Sequence, residues 1–288
     1  MKILQRLSLV SILLLFVVLT ACSDESKNVA TSADGVPISF SVYGEGTPAI
    51  VLIHGWCWGQ NNWIGQIREL SRQNKIITID LAGFGGSGHG RTDWTMKAFG
   101  EDVVSVVEKL GLEQVVLVGF SMGDKVIVEA ARIMPERIIG LVGVDNFHNV
   151  ESKLTDEQIA GFMAPFRADF AGALNAMLLS MVLPNADSTK VLEKVRADYG
   201  GCAAPPDIAI AVLENYIKHD MTESLREIKA PIHCINSDFV PTDIEAAQRY
   251  VSSFKVEIMS GVGHLLLWED TATFNRLLGE IVKTFEAS

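Results

Sequence analysis

Ser121 stands in Gly119-Phe120-Ser121-Met122-Gly123, between an aliphatic run at 115–118 and a helical pattern that begins at once. A serine hydroxyl is a poor nucleophile until a base takes its proton. A Gly-x-Ser-x-Gly turn is one way to lift it clear of a sheet towards such a base. The motif is short and glycine is common, so context decides. A strand must precede the turn and a helix must follow, and the pattern here meets both conditions. Side chains at the glycine positions would strike neighbouring backbone, and the helix start aims N–H groups at developing negative charge. Asp124 falls in the first helical turn, where the helix dipole favours an anion by about 0.3–1 kcal/mol, so its position assigns it a helix-start role.

Elements must hold that turn in place. Short apolar runs at 38–42, 49–53, 76–79, 115–118, 138–144, 232–235 and 255–258 read as strands, and 96–110, 122–133, 244–251 and 273–285 read as helices. Alternation of this kind predicts an α/β domain with a mainly parallel sheet. The interval 147–226 carries helix signals and no strand, so it is expected to be a helical insertion over one end of the sheet.

The first residues have another use. Lys2 and Arg6 flank an apolar run, 7–19, that is too short for a spanning helix and reads as an export signal. It ends in Leu19-Thr20-Ala21-Cys22, which resembles the bacterial lipoprotein signal, in which the cysteine becomes the acylated first residue. The expected organisation is a signal peptide at 1–21, a polar tether at 22–34, a core at 35–146 and 227–288, and a cap at 147–226. The chain is expected in the bacterial cell envelope, held to a membrane by lipid on Cys22. The formal charge of the 288 residues is −11, and removal of Lys2 and Arg6 makes the remainder more acidic. No basic cluster appears, which disfavours nucleic acid and direct adhesion to anionic lipid. Cys57, Cys202 and Cys234 match no zinc spacing. An oxidising envelope allows Cys57 to pair with Cys202, which sequence alone does not decide.

From residue 37 to 286 the chain resembles the α/β-hydrolase fold family. His54-Gly55-Trp56 follows the strand at 49–53, where the family places its oxyanion loop. Asp80-Leu81-Ala82-Gly83-Phe84-Gly85-Gly86-Ser87 is similar to the loop after its next strand. Gly261-Val262-Gly263-His264 follows the last strand, where the family keeps its catalytic histidine. The resemblance implies a mostly parallel twisted sheet flanked by helices, with the helical cap inserted after the fold's sixth strand. It implies Ser121 as nucleophile, His264 as base, and the backbone N–H groups of Trp56 and Met122 as the oxyanion hole. The triad acid has two candidates. Asp145 follows the strand at 138–144. Asp238 sits two residues before the family's usual position, which here falls on Val240, and Asp243 is a more distant option. His54 is expected to shape its loop, and His89, His148, His219 and His233 to be surface or packing residues.

Gly83-Phe84-Gly85-Gly86-Ser87-Gly88 fits the dinucleotide fingerprint, but turn-like residues follow it where a helix must open. No cofactor and no metal is implied. The segment 159–183, rich in Phe, Met and Leu, is expected to pack and to line an apolar pocket, with Pro165 breaking its first helix and Trp56, Trp58 and Trp63 adding an aromatic wall. The implied activity is a serine hydrolase of carboxylic esters of moderately sized apolar small molecules. The alternatives are another acyl chemistry on the same triad (lactone, thioester, amide or carbon–carbon cleavage) and a lipid-anchored binding protein without catalysis.

Overall fold

The computed structural model describes residues 28–183, 190–193 and 202–287. The apolar run at 7–19 and Cys22 lie outside them. In chain order the elements are β1 (Val29–Thr31), β2 (Pro37–Tyr43), β3 (Ala49–Ile53), α1 (Ile64–Leu70), β4 (Lys75–Ile79), α2 (Met96–Lys109), β5 (Val115–Phe120), α3 (Gly123–Ile133) and β6 (Ile138–Val144). After these come α4 (Asp156–Ala168), α5 (Phe170–Ser180), α6 (Pro206–Lys218), α7 (Thr222–Glu227), β7 (Ile232–Ser237), α8 (Ile244–Gln248), β8 (Phe254–Met259), α9 (Leu266–Glu269) and α10 (Thr271–Glu286).

The eight strands form one sheet in the order β1-β2-β4-β3-β5-β6-β7-β8. β1 and β2 run antiparallel, and every pairing from β4 to β8 is parallel. All residues of β3 and β5 are buried, which is why both read as unbroken aliphatic runs: helices cover both faces. α2 and α3 cross closely on one face. A Cβ on Gly100 would come within 2.9 Å of the Ala130 amide nitrogen, so the crossing requires glycine there. On the other face the Phe285 ring of α10 fills the space a side chain at Gly140 would need.

Two sequence expectations change here. The tether predicted to run to residue 34 stops earlier, because Val29–Thr31 pairs with β2 and turns Ala30 into the core. Three residues are too few for alternation to register. Pro165 does not break its helix: α4 continues to Ala168, and the Asp169 amide still donates to the Pro165 carbonyl at 2.9 Å. The chain turns at Asp169 instead, whose side chain caps α5 by accepting from the Gly172 amide. Between β6 and β7 the described regular structure is entirely helical, α4 to α7.

Candidate active site

β5 ends at Phe120 and α3 begins at Gly123, so Ser121 occupies the two-residue corner between them. Its φ is +50°, a conformation that ordinary side chains adopt at a cost of about 1–3 kcal/mol. The corner is held by several bonds. The Ser121 amide donates to the Val144 carbonyl at 3.0 Å, and the Asn146 side chain donates to the Gly119 and Ser121 carbonyls at 2.8 and 3.3 Å. Gly119 is obligatory, since a Cβ on it would sit 2.4 Å from the Gly123 carbonyl oxygen, and Gly123 is tightly placed, with a Cβ there 3.0 Å from the Ile53 carbonyl oxygen.

His264 lies with Nε2 3.0 Å from Ser121 Oγ and Nδ1 2.6 Å from Asp145 Oδ2. Asp145 extends from the end of β6, also left-handed, with φ +47°. Its Oδ1 accepts from the Ser237 amide and hydroxyl, each at 2.7 Å, and its own amide donates to the Ile235 carbonyl. Burial alone would raise its pKa. The neighbouring imidazoles of His148 and His264 and the Ser237 N–H outweigh that and hold the carboxyl well below the usual carboxylate range. An ionised Asp145 only accepts, so His264 Nδ1 carries the proton and Nε2 is free to accept from the serine hydroxyl.

The two candidate acids separate cleanly. Asp145 meets His264, whereas Asp238 is exposed and accepts from the Gly261 amide at 3.2 Å, bracing the loop that carries the histidine. Asp243 caps α8, accepting from the Ala246 amide. Gly55 lies against the nucleophile turn: a Cβ on it would lie 3.2 Å from Ser121 Cβ. Trp56 is the next residue after Gly55, as Met122 is after Ser121. His54 is fully buried, bonding the Gly55 carbonyl through Nδ1 at 2.7 Å and accepting from the Leu81 amide through Nε2 at 3.0 Å, so it shapes its loop.

Residues 48–190 match the family model described as alpha/beta hydrolase fold. A thermophilic esterase from Thermogutta terrifontis superposes with a TM-score of 0.76 at 24% identity, covering 89% of this chain and 98% of that one. This chain is an α/β-hydrolase-fold protein. A 2-hydroxy-6-oxononadienedioate/2-hydroxy-6-oxononatrienedioate hydrolase from Paraburkholderia phymatum is 26% identical over 283 residues, 90% of this chain and 95% of that one. The dihydrolipoyllysine-residue acetyltransferase component of the acetoin cleaving system of Pseudomonas putida is 24% identical over 245 residues, 82% of this chain. This chain spans 64% of that relative's length.

Within this α/β-hydrolase fold the Gly-x-Gly-x-x-Gly segment wraps the Asp80 carboxylate, which accepts from the Gln60 and Gly86 amides at 2.7 and 2.9 Å. A Cβ on Gly85 would lie 2.4 Å from that carboxyl carbon. Trp63 is not part of any site wall; it is wholly buried in the core. Trp56 and Trp58, with Leu174, Met177, Leu178 and Met181, enclose a void of only about 10 Å³. The cavity that opens on Ser121 measures about 380 Å³ and lies on the other side, between residues 145–154 and the end of α6. Its lining is mixed, with apolar side chains such as Phe147 and Leu154 beside Asp124, Lys125, His148, Tyr216, His219 and Asp220.

Asp124 is therefore more than a helix-start residue. It is 3% exposed, accepts from the Lys125 amide at 2.6 Å, and burial pushes its carboxyl up to about 6 despite the Lys125 charge. Lys125 reaches the other way and donates to the Tyr216 and His219 carbonyls at 2.6 and 2.7 Å, fixing the end of α6 to the nucleophile helix. His148 is not a plain surface residue either: its Nε2 is 3.8 Å from Asp145 Oδ2. Asn146 and Ser237 escaped the sequence reading. The available signal was the pair of polar steps, Asp145-Asn146 and Asn236-Ser237, at the carboxyl ends of neighbouring apolar strands.

Proposed function

We propose that this protein is a serine hydrolase that cleaves carboxylic esters through an acyl-enzyme. The observation that carries the reading is the unbroken line from Ser121 Oγ through the His264 imidazole to the Asp145 carboxylate, at 3.0 and 2.6 Å. Ser121 Oγ attacks the ester carbonyl carbon as its proton passes to His264 Nε2. Asp145 holds the tautomer and stabilises the imidazolium. The carbonyl oxygen becomes an oxyanion, which the Trp56 and Met122 amides receive; one such donor is worth about 2.7–4 kcal/mol. Collapse expels the alcohol, which takes the proton from His264. Water then repeats the cycle on the acyl-enzyme and releases the acid.

The substrate is a small-molecule ester of moderate size, taken into the cavity of about 380 Å³ that opens on Ser121, where Phe147, Val150 and Leu154 offer its acyl part apolar surface. The Paraburkholderia relative's name supports a second reading, hydrolysis of a hydroxy-oxo-dienedioate on the same triad. The cavity favours the neutral ester: Asp124 and Asp220 line it, and the ammonium of Lys125 is already taken by two carbonyls. A dianion would meet carboxylates there with no free cation from Lys125. We further propose that the mature chain starts at an acylated Cys22 and is anchored in a bacterial envelope, on the strength of residues 1–22.

Hydrolysis of p-nitrophenyl esters of increasing acyl length tests the reading, with Ser121→Ala beside the wild type. The expected result is turnover that falls by about 10⁵–10⁶ in the variant with the fold intact. Turnover equal in both proteins would remove Ser121 from the chemistry.

A further inference from the structure

Cys57 follows Trp56 directly and is bonded to Cys202, 145 residues on in the chain, with a Cα–Cα distance of 4.4 Å. It is one of four residues other than glycine with φ above zero in the described chain; its φ is +67°. Two of the others, Ser121 and Asp145, belong to the triad proposed above. The link is reinforced around it. The Ala203 amide donates to the Cys57 carbonyl at 2.9 Å, and the Gly85 amide donates to the Ala203 carbonyl at 2.9 Å. The indole Nε1 of Trp56 donates to the Ala209 carbonyl of α6 at 2.7 Å, and its rings meet Phe166 and Phe170 edge-on at 5.5 and 6.1 Å.

We infer that the Cys57–Cys202 disulfide is a positioning device for the oxyanion loop: it holds Cys57 in its left-handed conformation and so fixes the Trp56 amide over Ser121. A cysteine relieved of the crosslink gains by returning to negative φ, since left-handed backbone is unfavourable for any residue with a Cβ. That rotation swings the adjoining Trp56 peptide against the long 3.3 Å turn bond from the Trp58 amide to the Gly55 carbonyl, the indole bond and the ring contacts. Gly55 already touches the nucleophile turn, so the loop cannot shift without changing the donor's aim. An oxyanion donor acts on the transition state and hardly on the bound ester, so the loss falls on kcat rather than KM. The inference rests on the reading of the Trp56 amide as an oxyanion donor.

The test compares the full chain before and after reduction with a dithiol. Reduction gives the Cys57 and Cys202 thiols two electrons and two protons, and the reagent closes to its cyclic disulfide. Assays run well below the melting temperature of both forms, with the pairing read by mass spectrometry of the linked peptide. The expected result is a fall in kcat of about tenfold or more with KM within about twofold, the scale on which small misplacements in a site act. Cys57→Ala with Cys202→Ala should reproduce it, and Cys57→Gly with Cys202→Ala should recover part of it, because glycine accepts positive φ without penalty. A disulfide that only stabilises the fold lowers the melting temperature and leaves kcat where it was. An unchanged kcat in the reduced enzyme overturns the inference, as does equal activity of the two double variants, the one with Cys57→Gly and the one with Cys57→Ala. Absence of ester turnover and of fluorophosphonate labelling at Ser121 in the oxidised wild type would instead overturn the reading of the site.

Discussion

Beneath Ser121 every residue of β3, β5 and β7 is buried, whereas above it α4 buries three of its 13 residues and α5 two of its 11. The two regions are built under opposite constraints. On the sheet side, ladder bonds and packed aliphatic side chains over-determine the backbone. Ser121 and Asp145 can then sit at φ +50° and +47° without relaxing. On the cap side a narrow stripe of each helix joins the core, and the polar and covalent ties include Lys125 on the end of α6, the Trp56 indole on Ala209, and the Cys57–Cys202 bond. Phe162 and Leu179 remain 43% and 50% exposed. Ser121 and Asp145 stand on the over-determined side, and the loosely packed helices stand on the other.

The sharpest way to break this division is at the acid. Asp145→Asn keeps the shape and reverses the hydrogen bonding to His264, leaving the wrong tautomer. A turnover loss of about 10⁴ is expected. Asp238→Asn, which disturbs only the bond from the Gly261 amide, should stay within about threefold of wild type. Steady-state kinetics on one ester decides between them, and comparable losses at the two positions would mean that the 2.6 Å contact is not the functional one.

The fold and the places of Ser121 and His264 in it were legible for the reason that makes the sheet side rigid. A buried parallel strand must be continuously apolar, and a serine between such a strand and a helix can only stand on a tight corner. The acid was not legible, because Asp145 and Asp238 each follow an apolar strand. What separates them is which loop faces the imidazole, a distance across β6, β7 and the 261–264 loop. The cavity beside Ser121 was hidden for a similar reason. Asp124, His148 and Tyr216 come together only when α6 folds back on α3, and no local period records that. The Met- and Phe-rich run at 159–183 suggested an apolar pocket, yet much of it packs against Trp56 and the helices themselves. The disulfide was open for want of a distance, and Val29–Thr31 was too short to be seen as a strand.

The same division predicts how packing defects divide between stability and function. Leu117→Ala in β5 removes a wholly buried side chain with no room to collapse, and should cost about 2–5 kcal/mol in urea unfolding. Phe166→Ala in α4 opens a site whose neighbour Phe162 is already half in water, so its stability cost should be under about 2 kcal/mol. It also removes the edge contact on Trp56, and a several-fold rise in KM is expected. If the α4 substitution costs as much stability as the β5 one, the cap is part of the core and the contrast fails.

Asp124 sits on the boundary between the two regions and gives an effect visible only against pH. Its ordinary pKa is 3.8 and burial raises it to about 6 in the folded chain. Between those values the unfolded chain has lost the proton and the folded chain retains it. The folded state binds more protons, so this group makes stability fall as pH rises from about 4 to about 6, and the full penalty persists above that. A difference of about two units corresponds to about 3 kcal/mol. Thermal unfolding of wild type and Asp124→Asn across that window should therefore give curves whose separation changes with pH. The variant lacks the decline, whatever its offset from losing a charge beside Lys125. Parallel curves would place the carboxylate in contact with solvent or fully compensated by Lys125. Asp124 would then belong to the adaptable wall of the cavity rather than to the rigid frame beneath Ser121.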